Sequence, residues 1–430
     1  MLTHKNYTKQ FIFLASFIVF LIPYAQISGP FITDLFISIL AIMYIFIIVI
    51  LNRNLHQNNF FLNILTFFWL YIFISALIND YGSTSLRPSV SFIRFILFTY
   101  VIIFLCKNNK NFLKNFNIFL ISALLILTID GYVQFVFGKN ILGYEQIRPD
   151  RLSGLFIDEL ILGSFLSKFL PLIVFFYYEN IKYKNLKTLN LLIIVTIIPL
   201  IFLSGERAAF FMTLLFCLII LPIVFSLKKL LITVITFVIL SLIIINSNNV
   251  IHDRYVIQLK DHLILKHNDK IFLFPEHIGL FNSAYENFKK NKLIGSGVKS
   301  FRETCKLNNS KLKKEIIEIR PRIDFCSTHP HNYYLQFLSE TGLIGFSFLF
   351  LSFIYCITNY FKFTYLHLTN KFKKNIIIQK YIILLSGLIV ILWPITTTGN
   401  FFNNWNSSLI FLQLSFFLSY INENKFKNKL

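Results

Sequence analysis

Long apolar runs separated by short polar connections recur along the whole chain. They lie near residues 11–27, 31–51, 60–78, 89–105, 116–137, 156–178, 188–204, 207–226, 230–246, 335–360, 378–396 and 405–421. Each approaches the ~20 residues a helix needs to cross ~30 Å of hydrocarbon. The pattern therefore predicts an all-α, polytopic transmembrane bundle of about twelve spans. The first run follows Lys5 and Lys9, and no small-residue cleavage site comes after it, so it reads as a span and not a signal peptide. One long polar interruption divides the chain. An N-terminal bundle of about nine spans is expected over 1–246, a loop over 247–334, and about three further spans over 335–430.

Composition agrees. Of 430 residues 56% are hydrophobic and only 14% charged, against ~25% charged in soluble domains. The formal charge of +21 would suit nucleic acid if it formed a basic face interleaved with stacking aromatics on a soluble domain. It does not. Lys5 and Lys9, Arg53, Lys107, Lys110 and Lys114, Lys182, Lys184 and Lys187, Lys228 and Lys229, Lys371, Lys373 and Lys374, and Lys425, Lys427 and Lys429 fall on alternate connections. That is the positive-inside arrangement, with both termini cytoplasmic. The expected location is therefore a membrane with both termini on its cytoplasmic side, and no nucleic-acid partner is expected. The 247–334 loop then lies outside, together with 79–88, 138–155, 204–206 and 397–404. These outer segments hold Arg87, Arg148, Arg151, Arg207, Arg254, Arg302, Arg320 and Arg322. Positive charge outside opposes topology, which gives these arginines another purpose.

Within the loop, Ile278, Phe281, Ala284, Tyr285 and Phe288 recur at helical spacing. They predict an amphipathic helix near 276–292 that either lies on the outer leaflet or packs inside a small loop domain. Cys305 and Cys326 share this loop, where an oxidising compartment permits a disulfide worth roughly 3 kcal/mol in the chain-entropy model; two free thiols are the alternative. The turn Ile-Gly-Ser-Gly at 294–297 is too short a signal to assign phosphate binding by itself.

Three polar motifs interrupt the apolar pattern. His329-Pro-His331-Asn-Tyr-Tyr leads into a span, and a helix starting near Asn332 puts Tyr333, Gln336 and Glu340 on one face. Histidine suits proton transfer near neutral pH. A helix cap with interfacial aromatics would explain Asn332 but not the pair His329 and His331, and no further ligands support a metal site. Ser-Gly-Glu-Arg at 204–207 joins two spans with almost no loop. It is either a snorkelling span end or a guanidinium suited to phosphate. In 148–166, Arg148 and Arg151 precede Asp158 and Glu159, which are expected to enter a span and face a polar cavity with Asp130 and Gln134, or to pair with an arginine.

Together, S-G-E-R-A-A at 204–209, G-S-G at 295–297, R-L-S-G-L-F at 151–156 with D-E-L-I-L-G at 158–163, and H-P-H-N-Y-Y-L-Q-F-L-S-E-T-G-L-I-G at 329–345 resemble the O-antigen ligase/O-antigen polymerase superfamily. The resemblance spans nearly the whole chain and implies a GT-C-like fold with one large periplasmic loop. It also implies a metal-independent, inverting glycosyltransferase without cofactor. The donor would be an undecaprenyl diphosphate-linked glycan, and the acceptor lipid A–core for a ligase or a second lipid-linked repeat for a polymerase, all within membrane lipid. Carried over by motif, Arg207 resembles the diphosphate-binding arginine and His331 the histidine at the reacting hydroxyl. A second family arginine falls on His277 in this chain, so His277, Arg302, Arg320 or Arg322 is expected to replace it. Arg151, Glu159, His329, Asn332, Tyr333 and Glu340 complete the expected substrate site. A transporter of lipid-linked sugars is the reading from another class. It would show repeats and half-helices broken at mid-membrane, which the sequence does not display.

Overall fold

The computed structural model describes residues 2–51, 60–224, 232, 235, 239, 241–267, 270–273, 275–310, 313–314, 317, 324–369 and 375–422. The expected span at 230–246 and the residues Arg53, Lys228, Lys229, Arg320, Arg322, Lys371, Lys373, Lys374, Lys425, Lys427 and Lys429 fall largely or wholly outside them.

Among the described residues, eight helices are long and apolar enough to cross a membrane. They are Tyr7–Ser28, Pro30–Val49, Phe60–Ile78, Gly82–Asn108, Phe112–Phe137, Lys184–Leu203, Arg207–Val224 and Tyr333–Leu368. Three more helices expected as spans, Leu162–Glu179, Ile376–Ile391 and Asn404–Asn422, are shorter or more polar. They can be so because they sit inside. Phe165, Phe169, Phe175, Ile382, Leu384, Leu412 and Leu418 are essentially without solvent contact, and Ser386, Ser407, Ser408, Gln413 and Ser415 are buried beside them. A helix ringed by other helices need not present a lipid-compatible surface. The membrane-facing helices carry the opposite pattern, with Phe13, Phe31, Phe46, Phe67 and Val136 exposed.

The sequence reading needs adjustment at two points outside the bundle core. The run expected to cross from 156 begins as helix only at Leu162, after a short turn at Gly154–Phe156. Asp158 and Glu159 are exposed on that turn, ahead of the span and not inside it. The 247–334 loop contains its amphipathic helix, Pro275–Lys290, but also a two-stranded antiparallel hairpin, Ile264–His267 with Lys270–Leu273. Leu280 and Ala284 of the helix pack against Phe301 and Cys305, so the helix is part of a small loop domain. The structure joins Cys305 to Cys326, Cα atoms 5.1 Å apart.

The helix Tyr333–Leu368 is broken at Gly342, whose φ of 61° and ψ of −165° are not helical. At 36 residues and ~1.5 Å each it is far longer than a ~30 Å core requires. The break leaves backbone groups that must find partners, and the segment 292–297 supplies them. Leu343 N donates to Lys292 O (2.8 Å), Ile344 N to Leu293 O (3.2 Å), Ser296 N to Ser339 O (3.1 Å) and Gly297 N to Glu340 O (2.8 Å). Tyr71 Oη donates to Thr341 O at 2.5 Å. Two chains approach this closely only without side chains. A Cβ at Gly295 would overlap the backbone of Glu340, Thr341 and Gly342, and one at Gly342 that of Leu293 and Gly295. Gly295→Val is therefore expected to destabilise the protein by on the order of 2–3 kcal/mol, read as a lowered melting temperature in detergent. Val in place of Gly138, whose Cβ would meet nothing within 4 Å, should cost only the strain of its positive φ.

Candidate active site

Several helices end or begin together at one end of the bundle, and the polar motifs gather there. The segment 138–161 folds back over the Ser204-Gly205-Glu206 turn: Leu152 N donates to Ser204 O (3.1 Å), and Gly205 has φ +71° because Asp150 O lies where its Cβ would be. Asp130 and Gln134, expected to face a cavity, instead brace this segment. Asp130 Oδ1 accepts from Ile141 N (2.9 Å), and Gln134 Oε1 from Ser153 N and Gly154 N (3.0 and 2.7 Å).

This fold-back brings four guanidinium groups together. Arg148 pairs with Asp150 (2.9 Å), Arg254 also reaches Asp150 (3.3 Å), and Arg151 lies 3.9 Å from Glu206. Arg254 Nε donates to Gly205 O (2.8 Å), and Arg207 Nη1 to Arg254 O (3.5 Å). Arg148, Arg151 and Asp150 all lie within electrostatic range of Arg207. Burial, followed by the charge of Arg207, pushes Arg254 down to about 10. Burial opposes ionisation of Asp150, but the hydrogen bond and charge of Arg148, with Arg254, hold its carboxyl below the usual range. Glu206 is enclosed and accepts from Gly163 N (2.6 Å) and Ser164 Oγ (2.5 Å). Burial raises its carboxyl above the ordinary value, against the pull of Ser164 and Arg151. Four guanidinium groups thus gather around Asp150 and Glu206, and like charges crowded in this way favour an anion.

The histidines form a second group. The rings of His329 and His331 are 4.1 Å apart, and His277, on the first turn of Pro275–Lys290, is 5.6 Å from His331. His329 is buried, its Nδ1 beside Thr328 Oγ1 (2.9 Å) and its Nε2 beside Thr398 O (3.2 Å). Burial first, then the nearness of His331, lowers His329 to about 4, against the Thr398 carbonyl. Burial likewise lowers His331 from its ordinary 6.5, against the same carbonyl. Both imidazoles are thus neutral at pH 7, the form that accepts a proton. His331 has φ +55°, a conformation costing a non-glycine residue ~1–2 kcal/mol. Thr398 N holds it there through His331 O (2.8 Å). Asn332 then caps the helix, accepting from Tyr334 N and Leu335 N (2.9 and 3.1 Å) and donating to Pro394 O and Thr396 O (2.8 and 3.2 Å).

Two expectations change here. His277 lies with the histidines, not the arginines, and Arg254 lies beside Arg207; Arg320 and Arg322 fall outside the described residues. Arg302 is exposed in the loop domain. Glu340 is buried as expected, but Gln336 Nε2 donates to both Glu340 Oε2 (3.0 Å) and Asn400 Oδ1 (2.8 Å), and Gln336 Oε1 accepts from Phe401 N (2.9 Å). These bonds tie the helix to the 400–401 turn and do not run to the ring of His331. Glu159 is exposed on its turn, since the span it was expected to enter starts three residues later.

A polar link connects the two groups. Lys168, inside Leu162–Glu179, feels the charge of Glu206 and donates through Nζ to Asn406 Oδ1 (2.5 Å). Asn406 Nδ2 donates to Tyr333 Oη (2.5 Å) and Asn400 O (3.1 Å). Lys168, Asn406 and Arg254 were not singled out from sequence as site residues. A lysine inside an apolar run, which is costly without a polar partner, was the available signal for the first.

Among the described residues no three His, Cys, Asp or Glu are grouped to hold a metal ion. No curated protein matches the chain. Residues 192–350 match the family model described as O-antigen ligase, a stretch that includes Arg207, Arg254, His277, His329 and His331. Over this stretch the chain is thus similar to the O-antigen ligase family, and its long apolar helices mark it as an integral membrane protein.

Proposed function

We propose that this protein transfers a glycan from undecaprenyl diphosphate to an acceptor hydroxyl at the periplasmic face of the inner membrane, as a ligase using lipid A–core. One observation carries the reading: a guanidinium cluster and a pair of neutral imidazoles lie at the same end of the bundle, linked through Lys168 and Asn406. The acceptor oxygen attacks the anomeric carbon and loses its proton to His331. The bond from that carbon to the diphosphate breaks, and the electron pair leaves on the phosphate oxygen. Arg207 and Arg254 stabilise the charge that develops there. Displacement from the opposite face inverts the centre, and fixed guanidinium charge serves where another enzyme would use a metal. His329, Asn332 and Tyr333 position the acceptor helix, with both chain termini cytoplasmic.

A transporter would need vacant backbone groups at a broken helix. The break at Gly342 is filled by residues 292–297, which favours chemistry over carriage.

Deleting the gene separates the acceptors on an envelope polysaccharide gel. Loss of a ligase leaves long chains on the carrier and none on the core. Loss of a polymerase leaves a single repeat on the core, and an unchanged ladder removes the proposal for that polysaccharide. Arg207→Ala and His331→Ala should each lower transfer by roughly 10²-fold or more with protein still in the membrane; full activity would exclude the residue.

Since His331 acts as the neutral base and burial lowers its pKa from the ordinary 6.5, kcat should hold its plateau in mildly alkaline buffer. It should fall only at more acidic pH, as the imidazole gains its proton. A half-maximal point above 6.5 would contradict the assignment.

A further inference from the structure

We propose that Lys168 is a further binding residue for the donor's diphosphate, holding the leaving group between the arginine cluster and the helix that carries His331. The proposal rests on the donor site described above and adds a cation that none of the recognised motifs contains.

Lys168 stands inside the bundle on Leu162–Glu179. Its ammonium lies 5.3 Å from the Trp405 ring centroid and donates to the neutral Asn406. Among the described residues no carboxylate lies within 4.0 Å of it. The nearest influence is Glu206, whose oxygens already serve Gly163, Ser164 and Arg151. An ammonium has three N–H donors, and Asn406 accounts for one. Enclosing a cation with only neutral partners is costly. A tether between two helices would need no charge, since a glutamine could reach the same asparagine.

Its position gives the charge a use. On one side Lys168 faces the electrostatics of Glu206, the neighbour of Arg207. On the other, Asn406 passes to Tyr333 Oη, two residues after His331. Lys168 adds a fifth cation to Arg148, Arg151, Arg207 and Arg254 around Asp150 and Glu206. A glycosyl diphosphate ester carries roughly two negative charges, and the lipid diphosphate released from it roughly three. The fifth cation is suited to the extra charge that appears when the sugar leaves.

The test uses full-length protein in nanodiscs, with lipid diphosphate-linked glycan and acceptor, and inorganic pyrophosphate as a competing probe. Lys168→Gln should raise the donor KM at least tenfold, leave the acceptor KM unchanged, and weaken pyrophosphate inhibition by a similar factor. Lys168→Arg should restore most of both. A merely structural lysine would move both KM values together or neither. If the folded Gln variant keeps its donor KM and pyrophosphate inhibition while Arg207→Ala is inactive, the Lys168 proposal falls and the donor site stands. If pyrophosphate does not inhibit the wild type and Arg207→Ala is active, both fall. Should the Gln variant not fold, wild-type protein reductively methylated with ¹³C-formaldehyde decides. Pyrophosphate must shift the Lys168 methyl resonance, and an unshifted or missing signal overturns the proposal.

Discussion

Backbone meeting backbone at Gly342 is the constraint on which the arrangement depends. A helix broken inside a bundle exposes donors and acceptors that hydrocarbon cannot satisfy, and residues 292–297 close the gap with hydrogen bonds to both sides of the break. The turn follows directly on Pro275–Lys290, so the docking fixes the loop domain relative to the helix beginning at Tyr333. His277 is thereby held near His331. Glycines at 295 and 342 are required because each occupies the space where the other's side chain would stand.

The same end of the bundle concentrates cations against the usual economics of a membrane. Arg148, Arg151, Arg207 and Arg254 gather around Asp150 and Glu206, and burial shifts Arg254 and the Glu206 carboxyl away from their ordinary values. Repulsion of this kind is tolerated where the fold over-determines each position. Here hydrogen bonds to Gly205 O, Leu160 O and Gln258 do that work. A bound diphosphate would relieve it, which links stability of the empty site to affinity for the donor.

In the proposed reaction, proton acceptance is prepared in the same way. His331 is held at positive φ by Thr398 and followed at once by the Asn332 cap, so the ring direction is set by backbone before any substrate arrives. His329, more deeply buried and fixed by Thr328 and Thr398, packs against it as a neutral neighbour and does not compete for the proton.

By itself the chain determined a great deal. Apolar run length set the helices, and residues 204–207 and 329–333 stood out because polar groups at span ends are costly. The cap at Asn332 and the buried face of Tyr333, Gln336 and Glu340 follow from helical periodicity alone. Tertiary structure decided the rest. Glu159 lies outside the span because the 138–161 segment folds back over Gly205, a long-range contact no local pattern encodes. Arg254 lies beside Arg207 and His277 beside His331 because of how the loop packs, which no local pattern encodes. Lys168 and Asn406, 238 positions apart, become neighbours only when their helices pack. Local periodicity reports which face of a segment avoids water; partners across the bundle depend on how those faces are finally assembled.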